Sequence, residues 1–165
     1  MTALLYRKLT EADADDYRSI RLEALEIDAR YYTADPVAEK SRTLGQWAQA
    51  CRETTQHAIF GAYDDGKLVA TSVVDMFSEN AARWGSTYVK PEYRKMHLAD
   101  KLLALSADWT LAAGRTTAVF TVRADNKRAR YVHEKNGAYV TRQEPMRFAD
   151  GETVPTYWYE KRLNT

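Results

Sequence analysis

The chain has one cysteine, Cys51, among its 165 residues, so it can form no intramolecular disulfide and needs no oxidising compartment. Neither charge predominates: 24 basic residues face 23 acidic ones, and no global field favours nucleic acid or an anionic membrane. No apolar run approaches the roughly 20 residues of a bilayer span. Met1 to Lys8 already contains Tyr6, Arg7 and Lys8 and lacks the apolar core and cleavage site of a secretory signal. Repeats, low-complexity tracts and Pro/Gly/Ser-rich linkers are absent. The expectation is a soluble, cytoplasmic protein with one domain over residues 1–165. Metal chemistry is disfavoured too. His57, His97 and His133 lie far apart, and His133-Glu134 runs on into Lys135-Asn136-Gly137 instead of giving H-E-x-x-H.

What is present is a regular alternation of element signals. Leu4 to Leu9 reads as a strand ending in Thr10-Glu11-Ala12-Asp13, which has the form of a capping box. Tyr17, Ile20, Ala24 and Ile27 then recur at helical spacing to about Asp28, and Leu44, Trp47, Ala48 and Cys51 do so in a second helix after Pro36. His57 to Tyr63 and Lys67 to Phe77 form a hairpin about Asp64-Asp65-Gly66, and Trp84 to Val89 is a further strand. Leu98, Leu102, Leu105, Trp109 and Ala112 make a stripe that stops at Gly114. Thr116 to Val122 is a buried strand. Asp125 or Asn126 caps a helix closed by Gly137, and Tyr139 to Arg142 and Thr153 to Leu163 are the last strands. Helix crossovers make neighbouring strands parallel, so this order predicts an α+β fold: an αβα sandwich on a mixed sheet of about seven strands, with helices on both faces.

The strand ending Tyr88-Val89 runs through Lys90-Pro91-Glu92-Tyr93 into Arg94, Lys95, Met96, His97, Leu98 and Ala99. Backbone N–H groups from Arg94 to Ala99 lie where a helix dipole is positive and can cradle a pyrophosphate, with Arg94, Lys95 and Lys101 adding charge. No G-x-x-x-x-G-K-[ST] or G-x-G-x-x-G occurs, which argues against nucleoside triphosphates and NAD. Val89, Pro91, Arg94 and Ala99 resemble the V-x-P-x-x-R and R/Q-x-x-G-x-G/A coenzyme loop of the GCN5-related N-acetyltransferases, with His97 at the middle glycine. Asn126, Ala129, His133, Glu134, Lys135 and Gly137 resemble that family's N-x-x-A-x-x-x-Y-E-K-x-G-F element.

The resemblance implies acetyl-CoA as co-substrate, without a metal. It implies that the strands ending at Val89 and starting at Thr116 splay apart, that Tyr88, Val89, the 94–99 loop, Asn126 and Ala129 hold the coenzyme, and that the Val89 N–H polarises the thioester carbonyl. It places the general acid at His133, where the family has tyrosine; histidine can protonate a thiolate at neutral pH. The strand before the loop carries no carboxylate, so Asp75, Glu26, Asp28 or a relayed water are left as the base. The resemblance also walls the acceptor pocket with the loop between the first two helices and the last hairpin, where Tyr31 and Tyr32 with Tyr157 and Tyr159 are expected to form an aromatic lid, Glu26, Asp28 or Asp35 to attract a cationic amine and Ser86 to lie alongside. Trp84, Trp109 and Trp158 are assigned to packing, and Cys51 to a buried thiol. The expected activity is acetylation of a primary amine on a small molecule such as an amino acid or an amine-bearing antimicrobial. A protein or peptide amine and a silent acyl-CoA-binding module are the alternatives. The oligomeric state stays open, a homodimer being compatible with the sequence.

Overall fold

A computed structural model describes residues 3–164. The reading of 1–165 as one domain therefore extends over Met1, Thr2 and Thr165, which lie outside the described residues. Strands β1 (Leu5–Lys8), β2 (His57–Asp64), β3 (Lys67–Met76), β4 (Ala81–Val89), β5 (Thr117–Arg123), β6 (Tyr139–Arg147) and β7 (Thr153–Arg162) form one sheet in the order β1-β2-β3-β4-β5-β7-β6. All neighbours are antiparallel except β4 and β5. Those two are joined by a helix crossover, which carries the chain back to the same end of the sheet.

Helices α1 (Ala14–Ile27), α2 (Pro36–Lys40) and α3 (Leu44–Cys51) precede β2, whereas α4 (Leu98–Ala112) and α5 (Lys127–Lys135) flank β5 in sequence. One core layer joins Tyr17, Ile20, Ala24, Trp47 and Cys51 to Ile59, Tyr63 and Tyr88. A second joins Leu98 and Leu102 of α4 to Phe60, Val69, Ala82, Trp84 and Ala118, and a third packs Phe120, Val122 and Tyr159 with Ala129 of α5. Helices thus cover both faces of the mixed seven-stranded sheet, as the element order predicts. Among the described residues, no helix is long and apolar enough to cross a membrane.

Several element bounds differ from the sequence reading. A 3-10 turn at Glu11–Asp13 precedes α1, because the Asp13 carboxylate takes the Thr10 N–H at 2.7 Å and also a two-pronged Arg7 contact. Pro36 opens a short helix of its own, capped by Asp35 accepting from the Val37 N–H at 2.9 Å. Strand β4 begins at Ala81, three residues before Trp84; Ala81, Ala82 and Arg83 are the residues that pair with β5. Strand β6 runs on to Arg147 because β7 supplies its partners, although its exposed sequence carries no apolar alternation.

Candidate active site

Strands β4 and β5 pair only through Ala81–Arg83 and Thr117–Val119. Beyond Arg83 they part, and a bulge accompanies the divergence: Ser86 has φ +51° and the β3–β4 register shifts opposite it. Strand alternation decides which backbone groups face the opening. The Lys90 N–H is spent on the Val69 carbonyl at 3.0 Å, so the N–H of Val89, one residue earlier, points to the other edge, where β5 has moved away. Two carbonyls there have side-chain donors: Thr87 O takes the Tyr32 hydroxyl at 2.8 Å and Val89 O takes Arg94 Nε at 3.0 Å.

Past Pro91–Tyr93 the chain turns sharply into α4. Lys95 and His97 both have left-handed backbones, φ +74° and +60°, and His97 is the residue before the helix. The middle glycine of the coenzyme-loop pattern therefore falls on a position whose backbone favours glycine. His97 adopts it with its side chain out in solvent, 83% exposed. Among the described residues, the backbone N–H groups of Lys95, Met96 and His97 have no acceptor, and those of Leu98 and Ala99 begin the helix. Leu98 is buried and Met96 packs beside it, anchoring the turn. A diphosphate fits such a run of amides at a helix start.

On the α5 side, Asn126 caps the helix by accepting from the Ala129 N–H at 3.2 Å. His133 packs its ring 4.4 Å from that of Phe120 on β5, the strand that borders the gap. Burial, helped by the charge of Lys161, lowers its pKa, so at neutral pH it rests as the uncharged base.

The face toward α1 holds a carboxylate that the sequence reading passed over. Glu23, half-buried, accepts from the Tyr88 hydroxyl at 2.8 Å and Lys90 Nζ at 2.7 Å. Burial raises its pKa, but the two donors outweigh that and hold it ionised below the usual range. The sign was available in the sequence. Glu23 lies three residues after Ile20 and four before Ile27, so a charge interrupts the apolar stripe. Conversely Ile27, assigned to that stripe, is 51% exposed.

The remaining candidates are dispersed. Asp75 is hydrogen-bonded to His57 Nδ1 at 2.5 Å and stands opposite Arg83, where β4 still pairs with β5. That is six residues from Val89, roughly 20 Å along a strand. Glu26 is exposed on α1. Asp28 is ion-paired with Arg94 at 2.7 Å, which ties the end of α1 to the coenzyme-type loop. Tyr32 is buried, whereas Tyr31 is 46% exposed with Arg30 across its ring. Tyr157 faces the opposite way: it pairs with Val122, packs with Phe120 and Ala129, and carries Arg130 over its ring. The structure does not bring it to Tyr32, nor does it bring Tyr159, which is buried against Phe120 and donates its hydroxyl to Glu134 at 2.7 Å. Trp84, Trp109 and Trp158 each donate to one partner within the packing, and burial pushes the Cys51 thiol up to about 12.

The chain matches the acetyltransferase (GNAT) family over residues 14–138. No curated protein matches it. Solved structures similar to it include an acetyltransferase of the GNAT family from Streptococcus pneumoniae, with a TM-score of 0.82, 16% identity and coverage of 98% of this chain and 100% of that one. Also similar are yncA from Salmonella typhimurium with its cofactor acetyl-CoA, at 0.74, 18%, 99% and 96%, and the ribosomal-protein-S18-alanine N-acetyltransferase from Escherichia coli, at 0.71, 18%, 99% and 96%.

Proposed function

Because this chain belongs to the acetyltransferase (GNAT) family, its reaction is acetyl transfer from acetyl-CoA, and we propose that the acceptor is the primary amine of a small molecule such as an amino acid. The observation that carries the reading is the β4–β5 gap, with unpaired amides at Val89 and from Lys95 onward on its rim. Bound there, the coenzyme supplies an activated acyl thioester. The Lys95–Ala99 amides and the Lys95 side chain hold the diphosphate, Asn126 and Ala129 border the pantetheine arm, and the Val89 N–H takes up charge developing on the acyl oxygen.

The acceptor enters from the α1 face, past Glu23, Asp28, Tyr31, Tyr32 and Ser86. The Ala149 N–H donates to the Tyr32 carbonyl at 2.7 Å, joining the turn after α1 to the β6–β7 loop. That contact narrows the approach, which favours a compact amine over an extended peptide. The incoming ammonium gives one proton to solvent at the open α1 face before it attacks. The second, released as the amide forms, passes through a relayed water to a ring nitrogen of His133, which is neutral at rest. The imidazole returns that proton to the departing sulfur, acting as the general acid without a separate carboxylate base. Asp75 and Glu26, the other catalytic candidates, are left to structural and surface roles in this scheme. The whole chain, 1–165, serves as one acyltransferase domain in a soluble, cytoplasmic protein.

Release of free thiol from acetyl-CoA tests the reading across free amino acids, spermidine and an alanine-terminated peptide. Turnover of a free amino acid or spermidine at the highest kcat/KM is the expected result. Preference for the peptide would move the acceptor to a protein or peptide amine, and thiol release with none of them would overturn the amine reading.

A further inference from the structure

One buried cation is absent from the scheme above. Arg123 ends β5, on the side of the gap opposite Val89, and its side chain is only 3% exposed. Strand alternation turns it to the face opposite Phe120 and Val122, toward α1. Nη1 donates to the Arg30 carbonyl at 2.7 Å; Nε and Nη2 hold the two Asp125 oxygens at 2.9 and 3.0 Å; and Nη2 also reaches Glu152 at 3.1 Å. Asp150 lies 3.5 Å from Nη1, and the guanidinium sits over the Phe148 ring at 4.7 Å.

One planar group thus joins three segments: the end of β5, the turn Ala29–Tyr31, and the loop between β6 and β7. The planar fork grips both Asp125 oxygens and still donates to the Arg30 carbonyl and Glu152; a lysine ammonium, with three donors on a single atom, cannot match that set. The two loops also meet directly through Ala149 N–H and the Tyr32 carbonyl, and the Tyr32 hydroxyl ends on the Thr87 carbonyl, beside the Ser86 bulge. The connection runs from Arg123 to the Arg30 carbonyl, along the backbone to Tyr32, and from its hydroxyl to Thr87. It spans the gap on the acceptor face and leaves the α4 amides untouched.

We infer that Arg123 is a positioning residue for acetyl transfer: it fixes the Tyr32 hydroxyl on the Thr87 carbonyl and so sets the acceptor wall against the β4 bulge. The inference rests on the proposed transfer to an amine. It makes two demands beyond stability: the effect must fall on the acceptor rather than the coenzyme, and it must act through Tyr32.

The test compares wild type, Arg123→Lys, Tyr32→Phe and the double variant, using the amine turned over fastest by the wild type and separate titrations of acetyl-CoA binding. R123K is expected to raise KM for the amine about tenfold or more while the acetyl-CoA dissociation constant stays within about twofold. The double variant is expected to be no worse than the poorer single, since coupled residues do not add. Losses that multiply, or equal weakening of coenzyme and amine, would overturn the inference, as would a KM that does not move. If R123K does not melt cooperatively, Asp125→Asn takes its place. Asp125 is 47% exposed on its side chain, and its loss should raise KM in the same direction, an unchanged KM again being contrary. Absence of turnover in the wild type would instead fall on the proposed reaction itself.

Discussion

At the scale of single residues, the left-handed position of His97 is the clearest departure from what its side chain prefers. A non-glycine residue there costs about 1–2 kcal/mol, which glycine avoids. The imidazole is 83% exposed and its Asp100 partner 74% exposed, so little packing or ion-pair stabilisation opposes the change. His97→Gly should therefore raise stability by about 1 kcal/mol, read as a higher denaturant midpoint, and should not weaken acetyl-CoA binding. A lower midpoint would mean that the side chain has an unrecognised partner. For His133, replacement by Phe keeps the contact with Phe120 but removes the proton carrier. Turnover should fall about tenfold or more, with acetyl-CoA affinity nearly unchanged; wild-type turnover would confine the residue to packing.

Elements are held together by polar ties that periodicity alone does not reveal. The presence of α1, the hairpin, α4 and β5 was legible because their patterns repeat over many residues, although the buried line of α4 runs through Leu98, Leu102, Ser106 and Thr110 and leaves Ala112 exposed. The ties were not, because they join residues far apart in the chain: Glu23 to Tyr88 and Lys90, Asp28 to Arg94, and Arg123 to the two loops. Asp75, a candidate base from its strand position, proves to be such a tie. His57 joins it to the Ala50 carbonyl at 2.7 Å through the other ring nitrogen. Both partners are acceptors, so only the imidazolium satisfies them together. The bond to Asp75, outweighing the opposing effect of burial, raises the His57 pKa above 6.5. A raised folded-state value means stability that is complete below the unfolded pKa and lost as pH rises through the folded one. His133 acts oppositely: its lowered value costs stability as pH falls below about 6.5. His57→Gln should therefore flatten the decline in melting temperature above pH 6.5 while leaving the acid side unchanged. An undiminished decline in H57Q would place its origin elsewhere.

For the molecule as a whole, the sheet divides the labour. Its closed half, β1 to the start of β4, is packed on both faces. The reaction site opens only where β4 and β5 part, and the motif carried by residues 88–99 lies on the rim of that opening. The local backbone signature, a strand running through proline into an apolar helix, was readable because it depends on sequence neighbours. The acceptor face was not, since its walls come from α1, the turn after it and the β6–β7 loop, and Tyr157, expected there, lies on the other side of the sheet. A coenzyme that binds only the folded state at about 100 times its dissociation constant adds about 2.7 kcal/mol. For a chain of this length acetyl-CoA should then raise the melting temperature by roughly 5–10 °C.

The most direct measurement is an amide NMR titration with acetyl-CoA, following each backbone N–H separately. The largest shifts are predicted at Val89 and from Lys95 to Ala99, with small changes along β1 and β2. Shifts concentrated elsewhere, with the amides at the start of α4 unmoved, would contradict the account.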